Sequence, residues 1–491
     1  MTDQQRYDCL GCNGNEIIKT PNIDRLAKQS ANFTSFFVQA PVCVPSRQTF
    51  FTGRYPRHHK NRVNYTSMND DMTLVQNRLQ KEGYKTGFVG KLHYFPPTKE
   101  YALSTGFDCG MLHDAGPTDK YSDYITWLKE HVTNFDSKNY RVCRRDVKNP
   151  YVTLLPEKYH ETTWCGEKTR ETLKSFAETD EPFFLFSSYW KPHSPFEIPY
   201  PWATMYDDAD IELHERVDEE YINKLPPPVK KLALRGGDHY KLSREEILWK
   251  YRAYYGAISQ IDNQVGLTLK KLDDYGLSDN TMVIFCSDHG DMMFAHGMMG
   301  KNIFFDEAIH APFMIKYPGK VKPGIYDDLI ESTDVLSTVF DLCGIQTPYE
   351  NEGKSFAKLL SEGNIGSEYI PREYVFAENI IPEVHTGGFD FSYEKGKGIK
   401  GIRHPDAKMV RSRKWKYNYY IDYEELYDLE NDPNEMKNLA GMNEYNETIA
   451  GLRKELLDWM ITSDEADQIA TRWYHVKNED GKWAEWSEWE G

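Results

Sequence analysis

The feature that most constrains this chain is a repeated unit. An amphipathic helical run leads into a short segment that is apolar throughout, and polar residues follow at once. "TLVQNRLQKEG" runs into "KTGFVGK" (85–91), and "CGEKTRETLKSFAE" runs into "PFFLFSSYW" (182–190). A long helical run beginning at "SREE" leads to "NTMVIFCSDHG" (280–290), and "APFMIKY" (311–317) is a further apolar segment. A strand apolar on both faces must be covered on both faces. The pattern therefore predicts an α/β fold whose sheet is covered by helices on both faces. Local signals agree. Gly83 is placed to stop the first helix, and Ser243 with Glu246 fits a capping box. From there an apolar stripe runs through Tyr251, Tyr254, Ile258, Ile261, Val265, Leu269 and Leu272 to a stop at Gly276.

A chain of 491 residues exceeds one simple core. The segment 200–242, rich in proline and charge, reads as a long surface insertion of the kind that borders a substrate site. Near residue 395 the style changes to short antiparallel strands with turns and then a helix. The expected division is a catalytic domain over 1–395 and a smaller C-terminal antiparallel-sheet plus helix subdomain over 396–491. The net charge of −17 argues against a nucleic-acid or anionic-membrane partner. No apolar run reaches transmembrane length, and the opening "MTDQQRYDCL" is polar. Cys9 and Cys12 form a lone C-x-x-C, read as two loop cysteines.

In open α/β sheets ligands bind beyond the carboxyl ends of the strands, so the polar residues there are the candidates. They are Lys91 and His93, Lys191 and His193, Asp288 and His289, then His296 and Lys301, with Asp3 and Gln4 at the chain start. Asp3, Gln4, Asp288 and His289 are oxygen and imidazole donors suited to a divalent cation. Lys91, His93, His193 and Lys301 suit an anion with several oxygens. Together they describe a site that stabilises charge on a transferring sulfuryl or phosphoryl group. Cys43, in "PVCVPSRQTFFTGR", could be a buried filler, a nucleophile or the precursor of something else.

These segments resemble one family in order over nearly the whole chain. "CVPSRQTFFTGR" is similar to the C-x-P-S-R signature of the type I, formylglycine-dependent sulfatases of the alkaline phosphatase superfamily. "MTDQQRYDCLGCNGNEIIKTPNIDRLA" resembles the family's opening, "GFVGKLH" its Lys-x-His element, and "SDHGDMMFAHGMMGKN" its second metal-binding segment. "ELYDLENDPNEMKNLA" resembles its C-terminal hallmark.

The resemblance implies an alkaline phosphatase-like fold, a large mixed central sheet sandwiched by helices, and release of inorganic sulfate. The long insertion and the C-terminal subdomain point to a sulfated carbohydrate, or another sulfated small molecule, as substrate. It implies that a formylglycine-generating enzyme oxidises Cys43 to an aldehyde, whose hydrate attacks sulfur and later expels sulfate. Calcium, with magnesium or manganese as alternatives, would be held by Asp3, Gln4, residue 43, Asp288 and His289. Arg47 would support the modified residue, and Lys91 and Lys301 would bind sulfate. His93 would be the base for sulfate release, and His193 would assist the leaving oxygen. Asn64, in "KNRVNYT", would lie near the sulfate. His296 and His310 have no implied role.

Two departures stand out. Asp3-Gln4 replaces the Asp-Asp of many members. The family also sets a short apolar strand before this aspartate, so residues 1–395 are expected to lack their first, central strand. The implied compartment is cytoplasmic for the chain as written, and periplasmic or secreted if a signal peptide precedes that strand. Rival expectations are a phosphonate monoester or phosphodiester hydrolase of the same superfamily, and a non-catalytic carbohydrate-binding homologue with unmodified Cys43.

Overall fold

The structure, a computed structural model, describes residues 1–64, 66–68, 72–114, 121–133, 135, 143–144, 147–235, 237–361, 368–380 and 406–463. Its strands are β1 (Ala31–Phe33), β2 (Phe36–Phe37), β3 (Lys85–Gly90), β4 (Cys109–Leu112), β5 (Phe183–Ser188), β6 (Val283–Cys286), β7 (Phe313–Lys316), β8 (Gly324–Tyr326), β9 (Ile330–Glu331), β10 (Val375–Ile380), β11 (Asp406–Arg411), β12 (Trp415–Tyr419) and β13 (Glu424–Asp428). The chain divides into two compact units, Met1–Ala440 and Gly441–Gly491. The described part of the second contains the helix Asn446–Thr462.

Two strand groups build the central sheet. One has the order β4-β3-β5 and is parallel throughout; the other has the order β6-β7-β1-β8 and is mixed. Residues Met1–Asp3 lie between them. The Met1 ammonium donates to the Ser187 carbonyl at 2.8 Å, and Tyr189 N donates to the Met1 carbonyl at 3.0 Å. On the other side Thr2 N donates to the Cys286 carbonyl at 2.9 Å. Asp3 thus enters the middle of the sheet at the carboxyl ends of β5 and β6.

The apolar runs form the expected strands because both faces are covered. The helix Arg244–Asp274 starts at the Ser243–Glu246 capping box and buries Tyr251, Tyr254, Ile258 and Ile261. Gly276 follows it at φ 67°, in the left-handed region that favours glycine. Gly90, at φ 94°, closes β3, where a Cβ would lie 2.0 Å from the Ser188 carbonyl oxygen. Only glycine lets β3 approach β5 there and turn Lys91 inward.

A separate antiparallel sheet, β10-β11-β12-β13, lies towards the C-terminus, with Val375 opposite Arg411 and Trp415 opposite Asp428. The segment 200–242 is only partly surface. It folds into short helices, among them Glu219–Lys224 and Pro227–Ala233, whose Ile222, Val229, Leu232 and Ala233 join the core beside Phe305 and Phe313. Its prolines punctuate short helices whose apolar residues still need cover. Among the described residues no helix is long and apolar enough to cross a membrane. The histidines His385 and His404, which the sequence places at the outer pocket, and the C-terminal Trp473, Trp483, Trp486 and Trp489, which it sets packing the subdomain, lie outside the described residues.

Candidate active site

Cys43 is the first residue of the helix Cys43–Thr52, every residue of which is buried. Val42 precedes it in extended backbone, and Pro45 falls in the first turn, where its missing N–H costs nothing. The helix start is held from outside. Asn64 Oδ1 accepts from Val44 N at 3.1 Å, and the Ser46 hydroxyl donates to the Asp288 carbonyl. The positive end of the helix therefore sits at Cys43.

Around the sulfur lie residues from four distant segments. Lys301 Nζ is 2.9 Å from Cys43 Sγ, His289 Nε2 3.3 Å, Asp3 Oδ1 3.8 Å and Lys91 Nζ 3.9 Å. The ligand atoms of Asp3, Cys43, Asp288 and His289 all lie within 4.8 Å of one another, and all four residues are buried. Lys301 also donates to Gln4 Oε1 at 2.6 Å, which turns that carbonyl towards the cluster. Arg47 lies beneath it, fully buried. Its Nε donates to Asp288 Oδ2 at 2.8 Å and its Nη2 to Asp3 Oδ2 at 3.0 Å. Its Nη1 donates to the Lys91 carbonyl at 2.7 Å and to Ser188 Oγ at 2.9 Å.

The electrostatics follow from this crowding. Burial pushes the Cys43 thiol up, but Lys301, Lys91 and His289 outweigh it and hold it well below its ordinary value. Burial and Cys43 push Asp3 up, but Lys91, His193 and Lys301 hold it below the carboxylate range. Asp288 goes the other way, raised by burial and by the Asp3 charge. Two buried carboxylates that oppose each other's ionisation, with an imidazole and an amide oxygen beside them, form a donor set that fits a hard divalent cation. Bound there, the cation would relieve that repulsion.

Both candidate proton-transfer histidines reach the cluster. His93 has φ 61°, and its backbone N–H donates to Asp114 Oδ1 at 2.8 Å. Burial and Lys91 push its imidazole down to about 4, opposed by a hydrogen bond with Cys43. His193 is lowered by burial and Lys301, opposed by Asp3 and a hydrogen bond with Cys43. Asn64 reaches the cluster through the Val44 N–H. His296 stacks on Phe305 at 3.7 Å and His310 on Tyr7 at 4.0 Å, so both pack rather than face the cluster.

Trp190, Asp114 and Asp291 carry no signal in the sequence reading. Lys191, a strand-end candidate there, is instead fully buried and pairs with Glu161 at 3.2 Å and Glu197 at 3.1 Å. Its ammonium also bonds the Pro195 carbonyl across the loop that carries His193. The Trp190 ring lies 4.9 Å from Lys91 Nζ. Asp114 and Asp291 support His93 and Gln4 from behind.

The mixed α/β sheet gives the chain an alkaline phosphatase-like fold. The sulfatase family model matches residues 1–345, and the model described as N-sulphoglucosamine sulphohydrolase, C-terminal, matches residues 295–461. The chain belongs to the sulfatase family. It is 31% identical to an arylsulfatase of Clostridium perfringens over 93% of this chain and 92% of that protein. It is 25% identical to an N-acetylglucosamine-6-O-sulfatase of Bacteroides thetaiotaomicron over 93% of this chain and 84% of that one. Its fold resembles that of a phosphonate monoester hydrolase from Silicibacter pomeroyi (TM-score 0.83, 22% identity, 98% and 97% of the chains covered). It also resembles a protein solved with its substrate D-glucosamine-2-N,6-O-disulfate (TM-score 0.69, 20% identity, 95% and 97% covered).

Proposed function

We propose that this enzyme hydrolyses sulfate esters of carbohydrates and releases inorganic sulfate. In this reading a separate maturing enzyme oxidises Cys43 to formylglycine. Asp3, Gln4, Asp288, His289 and the modified residue hold a divalent cation, calcium foremost. The observation that carries the reading is the set of four groups, Lys301, His289, Asp3 and Lys91, within 3.9 Å of the Cys43 sulfur.

The aldehyde hydrate supplies one hydroxyl to attack sulfur and a second whose deprotonation lets residue 43 release sulfate. The cation, when bound, favours the ionised hydroxyl and offsets charge on the sulfate oxygens. The chain's own groups do the rest. Lys91 and Lys301 bind sulfate oxygens in a water-poor pocket, where their charge counts most. Arg47 holds Asp3 and Asp288 in place. His93, neutral at ordinary pH, takes the proton that triggers sulfate release, and His193 donates to the leaving oxygen.

The test is a substrate panel: sulfated mono- and disaccharides, choline sulfate, aryl sulfates and aryl phosphate diesters. Sulfate release from at least one sugar supports the reading. Release from choline or small aryl sulfates alone would remove the carbohydrate assignment. Faster turnover of diesters than of any sulfate would make this a phosphodiester or phosphonate monoester hydrolase instead.

A further inference from the structure

Asp291 takes no part in the chemistry proposed above, although it is a carboxylate only 1% exposed beside Gln4. Neutral amides hold it. Met293 N donates to Oδ1 at 2.7 Å, Gly300 N donates to the same oxygen at 3.1 Å, and Gln4 Nε2 donates to Oδ2. A buried carboxylate is costly unless its hydrogen bonds are well made, so its place behind the cluster calls for a reason.

Gln4 stands between this carboxylate and the cluster. Its backbone is fixed at φ 68°, its N–H donates to Asp288 Oδ1 at 3.0 Å, and its carbonyl accepts from the Tyr254 hydroxyl at 2.6 Å. Its side-chain Oε1 accepts from Lys301 Nζ. One amide orientation satisfies both sides: Nε2 against the Asp291 carboxylate, Oε1 towards Lys301 and the cluster. The flipped amide would set its NH2 against the Lys301 ammonium and its oxygen against a carboxylate. A carboxylate that accepts from an amide N–H also draws electron density onto the amide oxygen, as a carboxylate behind a metal-bound histidine strengthens that ligand. Asp3-Gln4 carries one negative charge fewer than Asp-Asp, and Asp291 sets that charge one amide further out.

We propose that Asp291 is a positioning residue that orients and polarises Gln4, so that a neutral amide serves as a ligand for the divalent cation. This rests on the metal reading above.

The test is calcium affinity, measured by titration calorimetry on the full chain. The proteins are wild type, Asp291→Asn, Gln4→Glu and the double variant, each with the same state of Cys43 verified by mass. In Asp291→Asn the new amide oxygen stays with Met293 N and Gly300 N. Its NH2 then meets the Gln4 NH2, and affinity should fall roughly 10- to 100-fold. The double variant reverses the polarity. The carboxylate introduced at position 4 accepts from the amide introduced at position 291 and still offers an oxygen to the cation. That protein should bind within about threefold of wild type, a non-additivity that a purely structural role for Asp291 does not produce. Gln4→Glu alone sets two carboxylates against each other and should bind more weakly than the double variant. Unchanged affinity in Asp291→Asn, or a double variant no tighter than Asp291→Asn, overturns the proposal. If Asp291→Asn does not fold, the other comparison decides, and Gln4→Glu binding more tightly than the double variant overturns it. Wild-type protein that binds no divalent cation removes the metal reading and this inference with it. Loss confined to the variants leaves that reading standing.

Discussion

Replacing Arg47 with methionine strips the positive charge from beneath two buried carboxylates. Arg47 is fully buried and pairs with Asp288 at 2.8 Å and Asp3 at 3.0 Å. Removing one partner of a buried ion pair costs about 3–5 kcal/mol. The Lys91 carbonyl and the Ser188 hydroxyl, each left without its guanidinium donor, add about 1–3 kcal/mol. A total of about 4–8 kcal/mol is a large part of a native stability of about 5–15 kcal/mol. Asp288, already raised by burial and Asp3, can take up a proton and limit the loss. A cation bound by Asp3 and Asp288 would replace the missing charge more fully. Urea unfolding followed by tryptophan fluorescence, in chelator and then in calcium, measures both effects. The expected result is a large loss in chelator that calcium partly restores. A loss under about 1 kcal/mol, the size of an average substitution, would refute the reasoning, and so would a loss that calcium does not change.

Other substitutions probe the chemistry. Cys43→Ala should abolish turnover while the circular dichroism spectrum stays native, and Cys43→Ser should do the same unless a serine-type maturing system is present. His193→Ala should slow esters with poor leaving groups more than nitrophenyl sulfate; equal loss for both would count against proton donation to the leaving oxygen. His93, pushed down to about 4, is neutral and able to accept a proton at higher pH. Sulfate release should therefore fall as pH drops through about 4, and an acid limb near the ordinary imidazole value, absent from His93→Gln, would contradict this.

Part of the site is readable because its members follow apolar runs. Lys91 comes after β3, His193 after β5, and Asp288 with His289 after β6. That these residues meet depends on strand order, with residues 1–3 set between β5 and β6, and no local pattern encodes that order. Lys91 and Lys191 show the limit. Each follows an apolar strand and opens a Lys-x-His triplet. Yet Lys91 lies 2.6 Å from Asp3, while Lys191 is taken up by Glu161 and Glu197. The difference lies in which carboxylates the fold brings near, and those are remote in sequence. Asp291 is hidden for the same reason, because its meaning depends on Gln4, 287 positions away. Within 200–242, proline and charge mask a minority of apolar residues that the core takes up.

In the proposed mechanism turnover belongs to an oxidised Cys43. The direct measurement is sulfate release from a sulfated sugar, set against the fraction of residue 43 converted to the aldehyde, read by peptide mass across preparations with different amounts of maturing enzyme. The expected rate is proportional to that fraction and extrapolates to zero for the pure thiol. Full turnover from protein that carries only the thiol at Cys43 would contradict it.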